Sequence, residues 1–177
     1  MTRPELFRET LPTPIGDIIL VTDADGALRL LNFFDEGPRA ERLVRRAGAL
    51  EAGPPTRPTE ARRALAAYFG GDIAAIDTLP VATAGTPFQE SVWSALRTIP
   101  AGEMLSYGAL AARIGRPTAV RAVGLANGSN PVGVVNPCHR VIGADGSLTG
   151  YGGGLARKSW LLAHEGAGSL PVKAAKL

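Results

Sequence analysis

Apolar positions set the first frame. Ile18, Ile19, Leu20 and Val21 form a compact run, Asp23-Ala24-Asp25-Gly26 interrupts it, and Leu28, Leu30, Leu31 and Phe33 resume it. Two such runs around a Gly-containing loop predict a β-hairpin within residues 14–34. A helix is predicted over residues 36–48. After the Pro-rich stretch Gly53-Pro54-Pro55-Thr56-Arg57-Pro58 a second follows over 60–69, stopped by Gly70-Gly71. A short strand near residues 79–81 completes a half that reads as a small antiparallel sheet covered by helices.

Residues 82–87 (Ala-Thr-Ala-Gly-Thr-Pro) have the composition of a linker, and beyond them the texture changes. Phe88, Val92, Trp93 and Leu96 recur at helical spacing over 88–98, where Phe88 and Trp93 read as core. Two helices with a tight turn come next. Ser106 is placed to cap the first, Leu110, Ala111 and Ile114 share one of its faces, and Gly115 ends it. Thr118 is placed to cap the second, over 119–127. This is a helix-turn-helix pattern. Its second helix carries Ala119, Ala122, Gly124 and Ala126, with Arg121 as its one charge. A helix reading base edges in a major groove needs long polar side chains, whereas small residues allow the close backbone approach that a minor groove about 6 Å wide demands. A final helix is predicted over 155–164.

Charge separates the two halves. Residues 1–84 hold 10 basic and 12 acidic side chains, a balance of −2, while residues 85–177 hold 9 and 4, a balance of +5. An anionic partner is therefore expected on the second half. The N-terminus carries Arg3, Glu5, Arg8 and Glu9 with no apolar stretch behind them, so it does not read as a signal peptide, and no run reaches the roughly 18 apolar residues of a membrane span. The chain reads as cytoplasmic, nucleoid-associated if its source is a prokaryote.

Cys138 is the only cysteine, which excludes an intrachain disulfide, and with only His139 and His164 beside it no structural zinc site assembles easily. It lies in Asn136-Pro137-Cys138-His139-Arg140-Val141, between Asn130-Pro131 and the glycine-rich Thr149-Gly150-Tyr151-Gly152-Gly153-Gly154. These motifs resemble the O6-alkylguanine-DNA alkyltransferase family, closely from residue 88 to 166 and only in the order of elements over 1–84. The resemblance implies an α+β fold. It places a ribonuclease H-like domain with a small antiparallel sheet and helices over 1–84. A mostly helical, winged-helix-like catalytic and DNA-binding domain occupies 85–177, its tail flexible from about 168.

The same resemblance implies repair of duplex DNA by direct, irreversible and stoichiometric transfer of an alkyl group from O6-alkylguanine, and also O4-alkylthymine, to Cys138 after base flipping. No cofactor, metal or membrane is implied. A monomer acting on double-stranded DNA is expected, with cooperation along the DNA left open. His139 takes the thiol proton through a bridging water, Glu165 orients the imidazole, and Asn130 holds the active-site turn. Tyr107 rotates the target nucleotide and donates to the leaving guanine, while the carbonyls of Cys138 and Val141 read its amine. Tyr151 and Gly152 flank the base, the Gly152 amide within reach of O6. Arg121 fills the gap in the duplex, with Ala119 and Gly124 on the same helix.

The chemistry of the residues agrees with this. Only thiolate attacks carbon, and at an ordinary pKa near 8.5 about 3% of a thiol is ionised at pH 7, so ionisation alone supplies at most roughly 30-fold. Adjacent side chains on an extended segment point apart, which leaves a direct contact between Cys138 and His139 unassured. Two departures stand out: Gly152 occupies a position where some relatives carry serine, and Gly128 one where some carry a further arginine. A cysteine hydrolase fits poorly, because no oxyanion-hole arrangement is evident. An alkyltransferase-like binding protein would lack the cysteine, and a plain transcription factor would need more base-reading side chains.

Overall fold

The computed structural model describes residues 4–34 and 37–167, so the tail from 168 and the start of the helix expected at 36 lie outside the described residues. The chain divides into two compact units, Met1–Ala84 with Pro131–Val135, and Gly85–Asn130 with Asn136–Leu177. The division is not one cut in sequence. Five residues of the second half belong with the first, because Leu31 N–H donates to Pro131 O (2.9 Å) and Gly133 N–H donates to Leu31 O (3.0 Å).

The first unit is built on strands β1 (Leu6–Leu11), β2 (Ile18–Asp23) and β3 (Leu28–Phe33), antiparallel in the order β1-β2-β3. The predicted hairpin is β2–β3. Asp23 ties its turn by accepting from the amides of Asp25 (3.1 Å) and Ala27 (3.0 Å). Both sheet edges are covered: single parallel bridges join Leu28 to Val81 and Leu31 to Val132 outside β3, and Phe7 to Gly53 outside β1. Such cover blunts pairing with another chain. The strand expected at residues 79–81 is only the first of these bridges. Helix α1 (Pro38–Arg46) turns Ala40 and Leu43 inward, and α2 (Glu60–Phe69), capped by Thr59, buries Ala61, Ala64, Leu65 and Tyr68.

In the second unit α3 (Pro87–Leu96) starts one residue early and ends two early relative to expectation. Thr86 and Gln89 form a capping box with Pro87 at the first helical position, so part of the predicted linker is a helix start. The helix-turn-helix is α4 (Tyr107–Arg113), capped by the Ser106 hydroxyl, and α5 (Val120–Gly128). Thr118 does not cap α5. Ala119 N–H bonds back to Arg116 O (2.9 Å), which turns the chain once more and makes Ala119 the N-cap, with no side-chain hydrogen bond. A two-residue parallel pair, β4 (Leu105–Ser106) with β5 (Val141–Ile142), joins the start of α4 to the cysteine turn. Helix α6 (Leu155–His164) matches its predicted bounds. Among the described residues no helix is long and apolar enough to cross a membrane.

Candidate active site

One apolar cluster carries the site. Val92, Trp93 and Leu96 of α3, Leu110 and Ala111 of α4, and Val123 and Ala126 of α5 pack with Cys138 and Val141; Tyr107 and Tyr151 lean on this core half-buried. Trp93 anchors it, its indole N–H donating to Ala126 O (2.8 Å). Ala126 is buried in this core and does not line an outer face of α5. Gly124 is half-buried, and a Cβ there would sit 3.9 Å from the Tyr107 ring. Ala119 is half-buried, and Arg121 and Ala122 are exposed.

Cys138 is buried and opens a single turn of 3-10 helix, Cys138–Arg140, which replaces the extended segment expected from sequence. Asn130 closes the chain upstream of that turn: its Nδ2 donates to Asn136 O (2.9 Å), and Asn136 Nδ2 donates back to Asn130 Oδ1 (3.3 Å). Asn136 O also accepts from Cys138 N–H (2.7 Å). The amide of the cysteine and the side chain of Asn130 thus converge on one carbonyl.

Behind Cys138 lies a buried ionic cluster. Glu165 at the end of α6 accepts from Arg140 Nε on one oxygen (2.9 Å) and from Arg140 Nη2 (2.9 Å) and His139 Nε2 (2.9 Å) on the other. Arg140 also donates to Ile99 O. Gly102, at φ +86, lets the turn after α3 run against the Glu165 backbone; a Cβ there would lie 3.2 Å from Glu165 O. Burial alone would raise the Glu165 carboxyl, but the hydrogen bonds and charges of His139 and Arg140 outweigh it and hold the group well below the usual carboxylate range. For His139 burial dominates and lowers its pKa, against the raising influence of Glu165.

The ionised Glu165 selects the tautomer. An ionised carboxylate only accepts, so Nε2 carries the proton in the neutral imidazole and Nδ1 carries the lone pair. Nδ1 is buried and meets no hydrogen-bond partner among the described residues.

Tyr107 opens α4, its hydroxyl donating to Thr149 O (3.4 Å). Burial raises its pKa, aided by Cys138 and opposed by hydrogen bonds with Thr149 and Asn127, so the phenol stays protonated. Lys158 is fully buried on α6, and its Nζ donates to Val141 O (2.6 Å), Thr149 O (2.9 Å) and Gly150 O (3.4 Å). Burial pushes it down to about 8, and the charge of Cys138 acts in the opposite direction. The Val141 carbonyl expected to read a base is thus already held by an ammonium, with one lone pair left. Gly152 is exposed and Tyr151 half-exposed in the loop that Lys158 fixes.

Sequence reasoning missed Lys158, Arg140, Asn127 and Asn136. Lys158 had a signal, since it stands three and four residues before the buried Leu161 and Leu162 and so shares their helix face. His164, in the last turn of α6, stacks on Trp160 with centroids 4.5 Å apart.

Residues 87–167 match the family model described as 6-O-methylguanine DNA methyltransferase, DNA binding domain. A methylated-DNA–protein-cysteine methyltransferase of Salmonella typhimurium is 50% identical over 164 residues, spanning 91% of this chain and 96% of the relative. An O6-methylguanine methyltransferase crystal structure from Mycobacterium tuberculosis superposes with TM-score 0.76 at 41% identity, covering 92% of this chain and 93% of that one. A second structure from that organism, in complex with DNA, gives 0.75 at 40% identity and covers 93% and 96%. Similarity at this level over nearly the whole of both chains leaves one conclusion: the chain belongs to the methylated-DNA–protein-cysteine methyltransferase family.

Proposed function

We propose that this protein repairs alkylated duplex DNA by moving the alkyl group from O6 of guanine to Sγ of Cys138. The observation that carries the reading is the hydrogen bond between His139 Nε2 and Glu165 (2.9 Å): the ionised carboxylate accepts there, which leaves Nδ1 as a buried base one residue from the only cysteine. The thiol proton passes through a water to Nδ1, and the carboxylate stabilises the imidazolium that forms. Thiolate then attacks the alkyl carbon; the C–O bond breaks as the C–S bond forms, and Tyr107, kept protonated, donates to the leaving guanine. O4 of alkylated thymine presents the same carbon–oxygen bond and is a second substrate.

The carbon cannot be reached in line by sulfur inside the base stack, so the nucleotide must rotate out of the duplex. Arg121 is exposed on α5 and enters the gap, while Asn130 holds the turn that aims Sγ. The thioether product is a poor leaving group, so each molecule acts once. Incubation with duplex DNA carrying O6-methylguanine, followed by intact-mass and peptide analysis, tests the reading. One added methylene on the Cys138 peptide is expected, none with Cys138→Ala. Turnover beyond one methyl per protein refutes it.

A further inference from the structure

Helix α5 presents an apolar side chain that packing does not account for. Leu125 is 72% exposed, more than any other large apolar residue described. At 100° per residue it lies about 40° around the helix from Arg121 and about 6 Å further along the axis. Arg121, Ala122 and Gly128 share its exposed side, whereas Val123, Ala126 and Asn127 face the core. Its neighbours on that side are a glycine, an alanine and one arginine, so the isobutyl group stands above the surface around it. Helix propensity does not require it, since alanine, lysine or glutamine would serve α5 as well without exposing apolar surface.

The side that carries Leu125 is continuous with the side that carries Arg121, on the second helix of the helix-turn-helix. Proteins that enter a minor groove commonly push one apolar side chain, leucine among them, between base pairs and partly unstack the step. Taking this helix as the one that meets duplex DNA, which rests on the function proposed above, we propose that Leu125 is such a wedge. It enters a base step of the minor groove close to the nucleotide being rotated out, while Arg121 fills the place that nucleotide leaves. Loosening a neighbouring step removes part of the stacking that holds the target base, so the wedge acts on extrusion and not on the attack of sulfur on carbon. Pyrimidine–purine steps unstack most readily, so damage flanked by them is repaired faster.

The test compares single-turnover methyl transfer from a duplex and from the same O6-methylguanine oligonucleotide as a single strand, for wild type, Leu125→Ala and Leu125→Met. A single strand has no partner strand to leave, so the duplex-to-single-strand rate ratio isolates extrusion. Leu125→Ala should lower that ratio about tenfold and flatten the dependence on flanking steps, while Leu125→Met keeps the ratio within about twofold. A thermal melt confirms that both variants fold, as expected for so exposed a position. A Leu125→Ala ratio within twofold of wild type overturns the wedge. Failure of the wild type to transfer methyl from either substrate overturns the proposed function instead.

Discussion

Replacing Glu165 by glutamine keeps the shape of the buried cluster and removes its only negative charge. The amide oxygen can still accept from His139 Nε2 and Arg140 Nη2, but the amide NH2 then faces Arg140 Nε, a donor against a donor. Arg140, with a side chain only 7% exposed, is left as an uncompensated buried cation. Breaking a buried pair in this way costs about 3–5 kcal/mol. At about 2–4 °C per kcal/mol for a chain of this size, Tm should fall by roughly 6–20 °C. Chemistry suffers separately. The influences that raise His139 come from Glu165, whereas burial, Arg140 and Lys158 lower it, so the variant imidazole is a poorer base. Without help a thiol of ordinary pKa is about 3% ionised at pH 7, which caps the expected rate loss at roughly 30-fold. As pH rises towards about 9.5 the solvent takes over more of that ionisation, and the ratio of wild-type to variant rates should shrink. The assays are thermal melting and single-turnover methyl transfer from duplex DNA between pH 6.5 and about 9.5. A second variant, Glu165→Gln with Arg140→Leu, removes the stranded cation and should recover most of the lost Tm but not the rate. A rate that returns together with Tm would refute the base role, as would a single-variant deficit that does not shrink with pH.

Other outcomes follow from neighbouring features. Burial lowers Lys158 from 10.5 to about 8, so between those values the unfolded chain binds more protons and this group makes stability rise with pH. Urea denaturation at about pH 7.5 and 9.5 should show wild type gaining about 2 kcal/mol relative to Lys158→Met over that interval; an equal change in both chains counts against the lowered Lys158. Arg121→Ala should slow transfer from duplex DNA far more than reaction with a free modified base, and equal losses would remove its role in holding the rotated state. The glycines at 152–154 leave room for groups larger than methyl, so O6-benzylguanine should label Cys138. Gly153→Trp should block that labelling while methyl transfer from DNA persists, a contrast read by intact mass.

Legibility in the sequence followed burial and length. Helices α2 and α6 were readable to the residue because their apolar spacing and terminal glycines agree. Strand β1 was not, since Arg8, Glu9 and Thr10 break its alternation and most of its residues are only half-buried on a sheet edge. A two-residue pair such as β4–β5 leaves no period to detect. Within the site, the local motif carried Cys138 and His139, and the resemblance supplied Glu165, 26 residues further on. Arg140 passed as one letter of the motif because nothing local shows that it spans both oxygens of a distant carboxylate. Lys158 goes unmarked by any motif, since lysines are ordinarily exposed and only its place on the apolar side of α6 points to burial.

The five residues Pro131–Val135 bear on how the protein can be divided for experiment. Val132, Val134 and Val135 are buried where they stand, and Gly133 and Pro131 spend their backbone hydrogen bonds on Leu31. A fragment cut at residue 85 would keep the cysteine and the helix-turn-helix but carry three bared valines and an amide and a carbonyl without partners. The complementary fragment would end with the Leu31 edge of β3 open, a template for pairing with other chains. Each piece inherits a sticky surface from the same severed stitch, so poor behaviour of either fragment would report a misplaced boundary, not a defect in the chemistry or in the fold of the intact chain.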